Sequence, residues 1–406
     1  MSQLKSGLPV NSAVIVDAVR LPSGKGKPGG ALSGVHPVEL LAHVLRELVK
    51  RTGIDPPLVD DVITGCVEQA GEQTLNIARS AVLSAGFPES VPAVTLDRQC
   101  GSGQQAAHFA AQGVLAGAYD IVIACGVESM SRVPMALPAM GRDPRGPGVA
   151  ARYPDGLVNQ GVSAELVAHR WKLDRAALDE FAVSSHQRAA QALTDGRFDR
   201  EIVPIPVTEA DGTVREHRID ETIRPSTSLE GLSGLRPSFV EPGLAERFPE
   251  IEWKITPGNS SPLTDGASAA LIMSGAAAHR LGLQPRARFH AFAVTGDDPL
   301  YMLTAPIPAT KQVLKRARLT IEDLDAYEVN EAFASVPLAW AQEFDADPVK
   351  LNPWGGAIAL GHALGSSGSR LLGTLLNYLE ATGGRYGLQT MCEGGGLANA
   401  MIIERL

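Results

Sequence analysis

The 406-residue chain reads as an α/β protein made of two similar halves, on three observations. Short β-rich runs alternate with helix-length segments toward both ends, the rhythm of helices packed on a buried sheet. Between about 131 and 257 that rhythm gives way to proline and glycine punctuation (Pro134, Pro138, Pro144, Pro147, Pro154) and many arginines, the texture of an inserted loop domain. The two rhythmic regions also echo each other. A glycine turn opens an apolar helix at 100–103 and another at 361–368, and a short strand follows each, at 120–126 and 388–394.

In chain order, residues 13–19 read as a strand around Val14, Ile15 and Val16, and 38–51 as a helix. Strands at 61–67 and 91–96 flank a helix at 76–85. The segment 101–118 carries Ala106, Ala107, Phe109, Ala110, Ala111, Val114, Leu115 and Ala118, so it is apolar on nearly every face and is expected to lie buried between layers. A strand at 121–125 follows. Within the insertion, 173–196 is a charged amphipathic stretch. After Gly266 the rhythm resumes with strands at 267–273 and 288–294, a helix at 308–317, a strand at 326–329, a helix at 367–378, and a closing pair at 388–392 and 398–404.

Composition bounds the function. Hydrophobic residues make up 44% and charged residues 20%, enough to bury large cores, and 42 glycines with few aromatics suit elements that approach closely. A net charge of −9 argues against duplex binding, which draws on phosphate neutralisation, and leaves a small phosphorylated ligand open. The opening Met1-Ser2-Gln3-Leu4-Lys5 lacks an apolar signal core and no membrane-length apolar run follows, so a soluble cytoplasmic protein without membrane insertion is expected. Cys66, Cys100, Cys125 and Cys392 show no CxxC spacing, which suits a reducing compartment and argues against a metal site.

Four segments place reactive side chains at element ends, where catalytic groups usually sit. Cys100 stands in Asp97-Arg98-Gln99-Cys100-Gly101-Ser102-Gly103, after a strand and before a helix, where unpaired N–H groups favour a thiolate. Asn330 follows a strand in Asn330-Glu331-Ala332-Phe333, His362 ends a glycine-rich turn, and Cys392 lies at a hairpin tip in Met391-Cys392-Glu393-Gly394-Gly395-Gly396. Taken singly, either cysteine could be inert packing, Asn330 a turn former and His362 an ordinary hydrogen-bonded residue. Their co-occurrence carries the functional reading.

Over essentially its full length the chain resembles the thiolases, the acyl-CoA:acetyl-CoA acyltransferases. The resemblance rests on DRQCGSG around Cys100, GNSSPLTDGA from Gly258, NEAF from Asn330, GGAIALGH ending at His362 and MCEGGG around Cys392. It implies a five-layered αβαβα fold, divided as a first half over 1–130, an inserted loop domain for CoA and acyl binding over 131–257, a return segment over 258–280 and a second half over 281–406. It also implies ping-pong cleavage of a 3-ketoacyl-CoA by CoA through an acyl-Cys100 thioester, with His362 as the base and Cys392 as the acid or base at the acetyl carbon. His362 and a water held by Asn330 would serve the enolate, and the backbone N–H groups of Cys100 and Gly394 the tetrahedral oxyanion.

CoA is thus expected as co-substrate with no tightly bound cofactor, and its contacts map onto Arg224, Leu235, Ser261, Ala332 and Phe333. Gly231 stands where some relatives carry serine, and Ala363 where the family usually has proline. Asn159-Gln160 stand where acetoacetyl-type members tend to show His-Met, and the chain is similar to the degradative actinobacterial branch, which includes enzymes acting on steroid side chains. The family forms homodimers or homotetramers. Three other readings fit less well. A ketoacyl synthase would lack Cys392, a non-catalytic acyl-CoA or lipid-binding relative would have lost one of the reactive residues, and no protease-type context surrounds Cys100. A short-chain acetoacetyl-CoA enzyme working in the condensing direction is the alternative within the family.

Overall fold

The computed structural model describes residues 12–209 and 211–406, so the opening segment read for targeting lies outside the described residues. The described strands are β1 Ala13–Arg20, β2 Gly24–Lys25, β3 Asp61–Gly65, β4 Ala93–Leu96, β5 Ile121–Ser129, β6 Ile205–Thr208, β7 Val214–His217, β8 Thr264–Ser274, β9 Ala287–Gly296, β10 Ala326–Val329, β11 Tyr386–Glu393 and β12 Leu397–Arg405.

The echo seen in the sequence is an echo of strand order. In the first half the order is β4-β3-β5-β8-β1, with β3 parallel to both β4 and β5 and with β8 antiparallel to β5 and β1. In the second half it is β10-β11-β12-β9, with β10 parallel to β11 and the remaining pairs antiparallel. A single parallel bridge from Tyr327 on β10 to Leu351 is the second half's counterpart of the β3–β4 pairing. The halves are not separate sheets. A short ladder, Val14 to Arg288 and Ile15 to Ala287, joins β1 to β9 and makes the sheet continuous.

Helices cover the two halves of this sheet in three layers, and with each half counted as a layer there are five in all. Leu40, Leu41, Leu45 and Val82 pack outside the first half, and Val313 and Trp340 outside the second. Between them the helices Ser102–Ala116 and Leu364–Thr382 share one core, in which Ala106, Ala107 and Ala110 meet Leu372, Leu375 and Leu376. Small side chains on the first helix and leucines on the second let the pair sit close between two sheet faces.

Where these two helices begin, they touch through backbone. A Cβ on Gly126 would lie 2.0 Å from the Gly365 carbonyl oxygen, one on Gly103 would lie 2.6 Å from the same oxygen, and one on Gly368 would lie 1.9 Å from the Gln104 nitrogen. Buried Glu128, at the end of β5, accepts hydrogen bonds from the Gly365 N–H at 2.9 Å and from the Val67 and Glu68 N–H groups at 2.9 and 3.1 Å.

Two expectations are revised. The Ser102–Ala116 helix is not buried all round, since Phe109 and Leu115 are 44% and 45% exposed. The sheet and the partner helix cover only part of its circumference, and one edge faces solvent. The region after β5 is also richer in structure than its punctuation suggested. The amphipathic stretch at 173–196 is the helix Arg175–Thr194, and the region also holds the helix Gln160–Arg170 and the β6–β7 hairpin before the chain re-enters the sheet at β8. Proline and glycine hid these last two because they fill the turns between elements.

The glycine contact is testable by denaturation. Gly126→Ala is expected to destabilise the protein by about 1–3 kcal/mol or more, because the clash is with backbone. Gly234→Ala, with nothing near its missing Cβ, is expected to stay within about 0.5 kcal/mol.

Candidate active site

The four reactive residues converge at the seam between the halves, and all are buried. Cys100 sits on a tight turn. Gln99 takes a left-handed φ of 48° and its N–H donates to Asp97 Oδ1 at 2.6 Å, while Ser102 Oγ accepts from the Arg98 N–H at 2.8 Å and donates to the Gln99 carbonyl at 2.6 Å. Val67, Met130, Leu364 and Met391 pack around the thiol.

The expected thiolate is corrected here. Cys100 lies one residue before the helix's N-cap, Gly101, and burial pushes its thiol up to about 12; the nearby Glu393 adds to this, and the Gln160 side chain opposes it with a hydrogen bond. Desolvation outweighs the helix dipole at this depth, so the neutral thiol is the resting form.

His362 follows Gly361, whose φ of 85° and whose close approach to Thr264 leave no room for a side chain. The His362 N–H donates to Thr264 Oγ1 at 2.9 Å, and Nδ1 lies 2.6 Å from Ser367 Oγ. Nε2 lies 3.4 Å from Asn330 Nδ2. Burial, helped by Arg370, pushes the imidazole down to about 3, which keeps it neutral and able to accept a proton. The Ala363 departure has little effect on the backbone, since its φ of −73° is one that proline would impose.

Asn330 is fixed by its N–H to the Thr390 carbonyl at 3.1 Å, while its Oδ1 is buried without a protein partner. Its neighbour Glu331 anchors the loop, accepting from Ser185 Oγ at 2.7 Å, Asn352 Nδ2 at 2.8 Å and the Ile358 N–H at 3.1 Å. Cys392 occupies β11 opposite Ala398. Its thiol is pushed up by burial, then by the Cys100 sulfur and Glu393, which places the two cysteines within electrostatic reach of each other. Gly394 packs against the nucleophile turn, with its missing Cβ 2.8 Å from Gln99 Oε1.

The residues assigned to CoA fall into two places. Ser261 donates from N and Oγ to the Ala332 carbonyl at 3.0 and 3.2 Å, Ser260 bridges Phe333, and Leu235 lies over Gly258, so Leu235, Ser261, Ala332 and Phe333 gather at one turn. Arg224 stands apart, in a cavity of about 310 Å³ with Lys25, Lys27, Pro262 and Leu263. Gly231 N–H is capped by Ser228 Oγ at 3.2 Å, within its own turn.

Several residues escaped sequence reasoning. Ser367 falls five residues after His362, in the first turn of the following helix, and Arg370 follows on the same helix; only a helical projection from His362 could have found them. Glu393, pushed up to about 8 mainly by burial, was visible as the one charge in an apolar strand end. Among the described residues no His, Cys, Asp or Glu cluster is arranged to hold a metal ion, and no helix is long and apolar enough to cross a membrane.

Known proteins match this arrangement along the whole chain. The family model for the thiolase N-terminal domain matches residues 13–276 and that for the thiolase C-terminal domain residues 283–405. The chain is 46% identical over 408 residues to the steroid 3-ketoacyl-CoA thiolase FadA6 of Mycobacterium tuberculosis, covering 98% of this chain and 96% of that protein. It is 45% identical over 401 residues to a 3-ketoacyl-CoA thiolase of Pseudoalteromonas translucida, covering 98% and 100%. The crystal structure of the Bacillus anthracis acetyl-CoA acetyltransferase superposes with a TM-score of 0.87 at 38% identity, over 97% of this chain and 99% of that one. With both family models matched along the chain and relatives at 46% and 45% identity over nearly its full length, this chain belongs to the thiolase family.

Proposed function

We propose that this thiolase cleaves 3-ketoacyl-CoA thioesters with CoA, in the degradative direction. The observation that carries the reading is that buried Cys100 and Cys392 lie within electrostatic reach of each other, with Leu364, two residues past the neutral His362, packed against Cys100. The names of the matched relatives, 3-ketoacyl-CoA thiolase and its steroid counterpart, support the substrate class.

The reaction runs in two balanced halves. As the substrate ketone arrives, Cys100 attacks it while its proton passes to His362 Nε2, and the oxyanion takes hydrogen bonds from the Cys100 and Gly394 backbone N–H groups. The C2–C3 bond then breaks, the enolate oxygen faces His362 and a water on Asn330, and Cys392 delivers its proton to C2 to release acetyl-CoA. In the second half the thiol of CoA attacks the Cys100 thioester and its proton goes to the Cys392 thiolate, while the leaving Cys100 sulfur recovers its proton from His362. Both thiols and the imidazole end as they began. No tightly bound cofactor takes part; CoA is a co-substrate.

Arg224 is assigned to the phosphates of CoA. Its backbone N–H donates to His186 Nδ1 at 3.1 Å, so the neutral ring carries its proton on Nε2, which lies 3.1 Å from the Arg224 guanidinium. Two donors therefore face each other, and among the described residues no carboxylate pairs with Arg224. An anion in the cavity, with Lys25 and Lys27 across it, relieves that arrangement. Leu235, Ser261, Ala332 and Phe333 then lie along the pantetheine.

A cytoplasmic homodimer or homotetramer completes the proposal. β4 is an open sheet edge with Val94 exposed, and Leu75, beside it, is 90% exposed; edges of this kind need a cover. All four cysteines are free thiols, as a reducing compartment keeps them.

Incubation with CoA and a series of 3-ketoacyl-CoA thioesters from acetoacetyl upward is expected to consume the longer ones faster. A preference for acetoacetyl-CoA would favour the short-chain alternative, and no turnover at any length would sink the enzymatic reading. Cys100→Ala is expected to abolish the acyl adduct that intact mass shows after incubation with an acyl-CoA, and Cys392→Ala to keep that adduct while losing carbon–carbon bond cleavage of the 3-ketoacyl-CoA. Arg224→Ala is expected to raise KM for CoA about 10-fold with kcat little changed, the loss of one charge-assisted contact. Light scattering is expected to give the mass of two or four chains, and a monomer would contradict the assigned role of the β4 edge.

A further inference from the structure

The two hydrogen-bonding contacts of the His362 ring have directions that can be read. On one side, Ser367 Oγ lies 2.6 Å from Nδ1 and 2.9 Å from the Ala363 carbonyl oxygen. A hydroxyl has one proton to give, and a carbonyl oxygen can only accept. If the serine donates to Ala363, its lone pair faces Nδ1, and the ring must carry its proton there. If it donates to Nδ1 instead, two oxygen lone pairs confront each other at 2.9 Å in a buried place, and an interaction is lost where replacing it with water is hardest. On the other side of the ring, Asn330 presents the donor Nδ2 toward Nε2 at 3.4 Å, and a donor there needs a bare nitrogen. Both contacts select the same tautomer.

We propose that Ser367 is a positioning residue that holds His362 as the Nδ1–H tautomer, with the Nε2 lone pair directed at the reacting centre. The inference rests on the reading of His362 as the group that takes the Cys100 proton, and it specifies how that group is prepared. The hydroxyl sits in the first turn of the Leu364–Thr382 helix, bonding back to a carbonyl four residues earlier, a conformation that needs no outside support. The imidazole is therefore oriented by a neutral acceptor. The charged group that acts on the ring is Arg370, on the same helix.

This choice of partner fits the chemistry. A carboxylate on Nδ1 would stabilise the imidazolium and make the ring a stronger base that releases its proton slowly. A serine oxygen accepts the Nδ1–H in both charge states and gives the cation no counter-charge, so the proton taken from Cys100 is handed back readily. Exchange between thiols of similar acidity needs that reversibility.

The direct test is nitrogen NMR of the whole enzyme carrying ¹⁵N-imidazole histidine, with the His362 signals identified by their loss in His362→Asn. A proton-bearing Nδ1 and a bare Nε2 at neutral pH are expected, and a proton on Nε2 would overturn the proposal without reference to any variant. In Ser367→Ala the ring signals are expected to become a mixture of both tautomers, with kcat/KM for thiolysis lowered about 10- to 100-fold, as when an outer partner of a fixed imidazole is lost. An unmixed Nδ1–H ring in that variant, or unchanged kcat/KM, would also overturn it. Failure of the wild-type protein to form an acyl-Cys100 adduct would instead remove the underlying reading, whichever tautomer the spectrum shows.

Discussion

Backbone contact between the two central helices is the constraint on which the rest of this structure depends. Gly103, Gly126, Gly365 and Gly368 let the helix starts meet without side chains between them, and the Glu128 carboxyl pins the second helix start to the first half of the sheet. That contact fixes where the loops at the helix starts and strand ends project. Cys100 precedes one helix and His362 the other, Asn330 follows β10, and Cys392 closes β11. A side chain at the seam would push apart groups that must lie within hydrogen-bonding reach.

The site that results is electrostatically quiet in its resting form. Burial raises both thiols and lowers the imidazole, so the thiolate expected from the sequence position of Cys100 is disfavoured. Glu393 is likewise pushed toward its neutral form, and Arg370 opposes any standing charge on His362. Low polarity of this kind makes the few oriented donors, two backbone N–H groups and the Asn330 amide, more effective when charge does develop. It also keeps a thioester away from water while it waits for a second thiol.

Much of this was legible in the sequence. The strands around Val14, Ile123 and Ile402 were visible as apolar runs, because they are buried on both faces, and the helix containing Leu40 and Leu45 by its helical spacing. The four reactive residues were legible because each sits in a distinctive motif at an element end, glycine-rich around Cys100, His362 and Cys392. Three things were not. The protonation state of Cys100 depends on depth, and depth is set by distant segments such as the one carrying Gln160. The role of Ser367 depends on a helical turn bringing it back over His362, with its meaning fixed by a single proton count. The Gln160–Arg170 helix and the β6–β7 hairpin of the inserted region were obscured because their cores are shared with distant segments, as where Ala164 and Val167 pack with Val336 and Ala339, and Ile205 and Val207 with Val14 and Leu40.

The short ladder between β1 and β9 has a mechanical consequence. The pairing of β1 with β9 and the backbone contact between the helix starts tie the two halves together, so parting them at the seam would break ladder bonds and close contacts at once. Under the proposed function, choice among acyl groups is then expected to rest on local side chains rather than on movement of one half against the other.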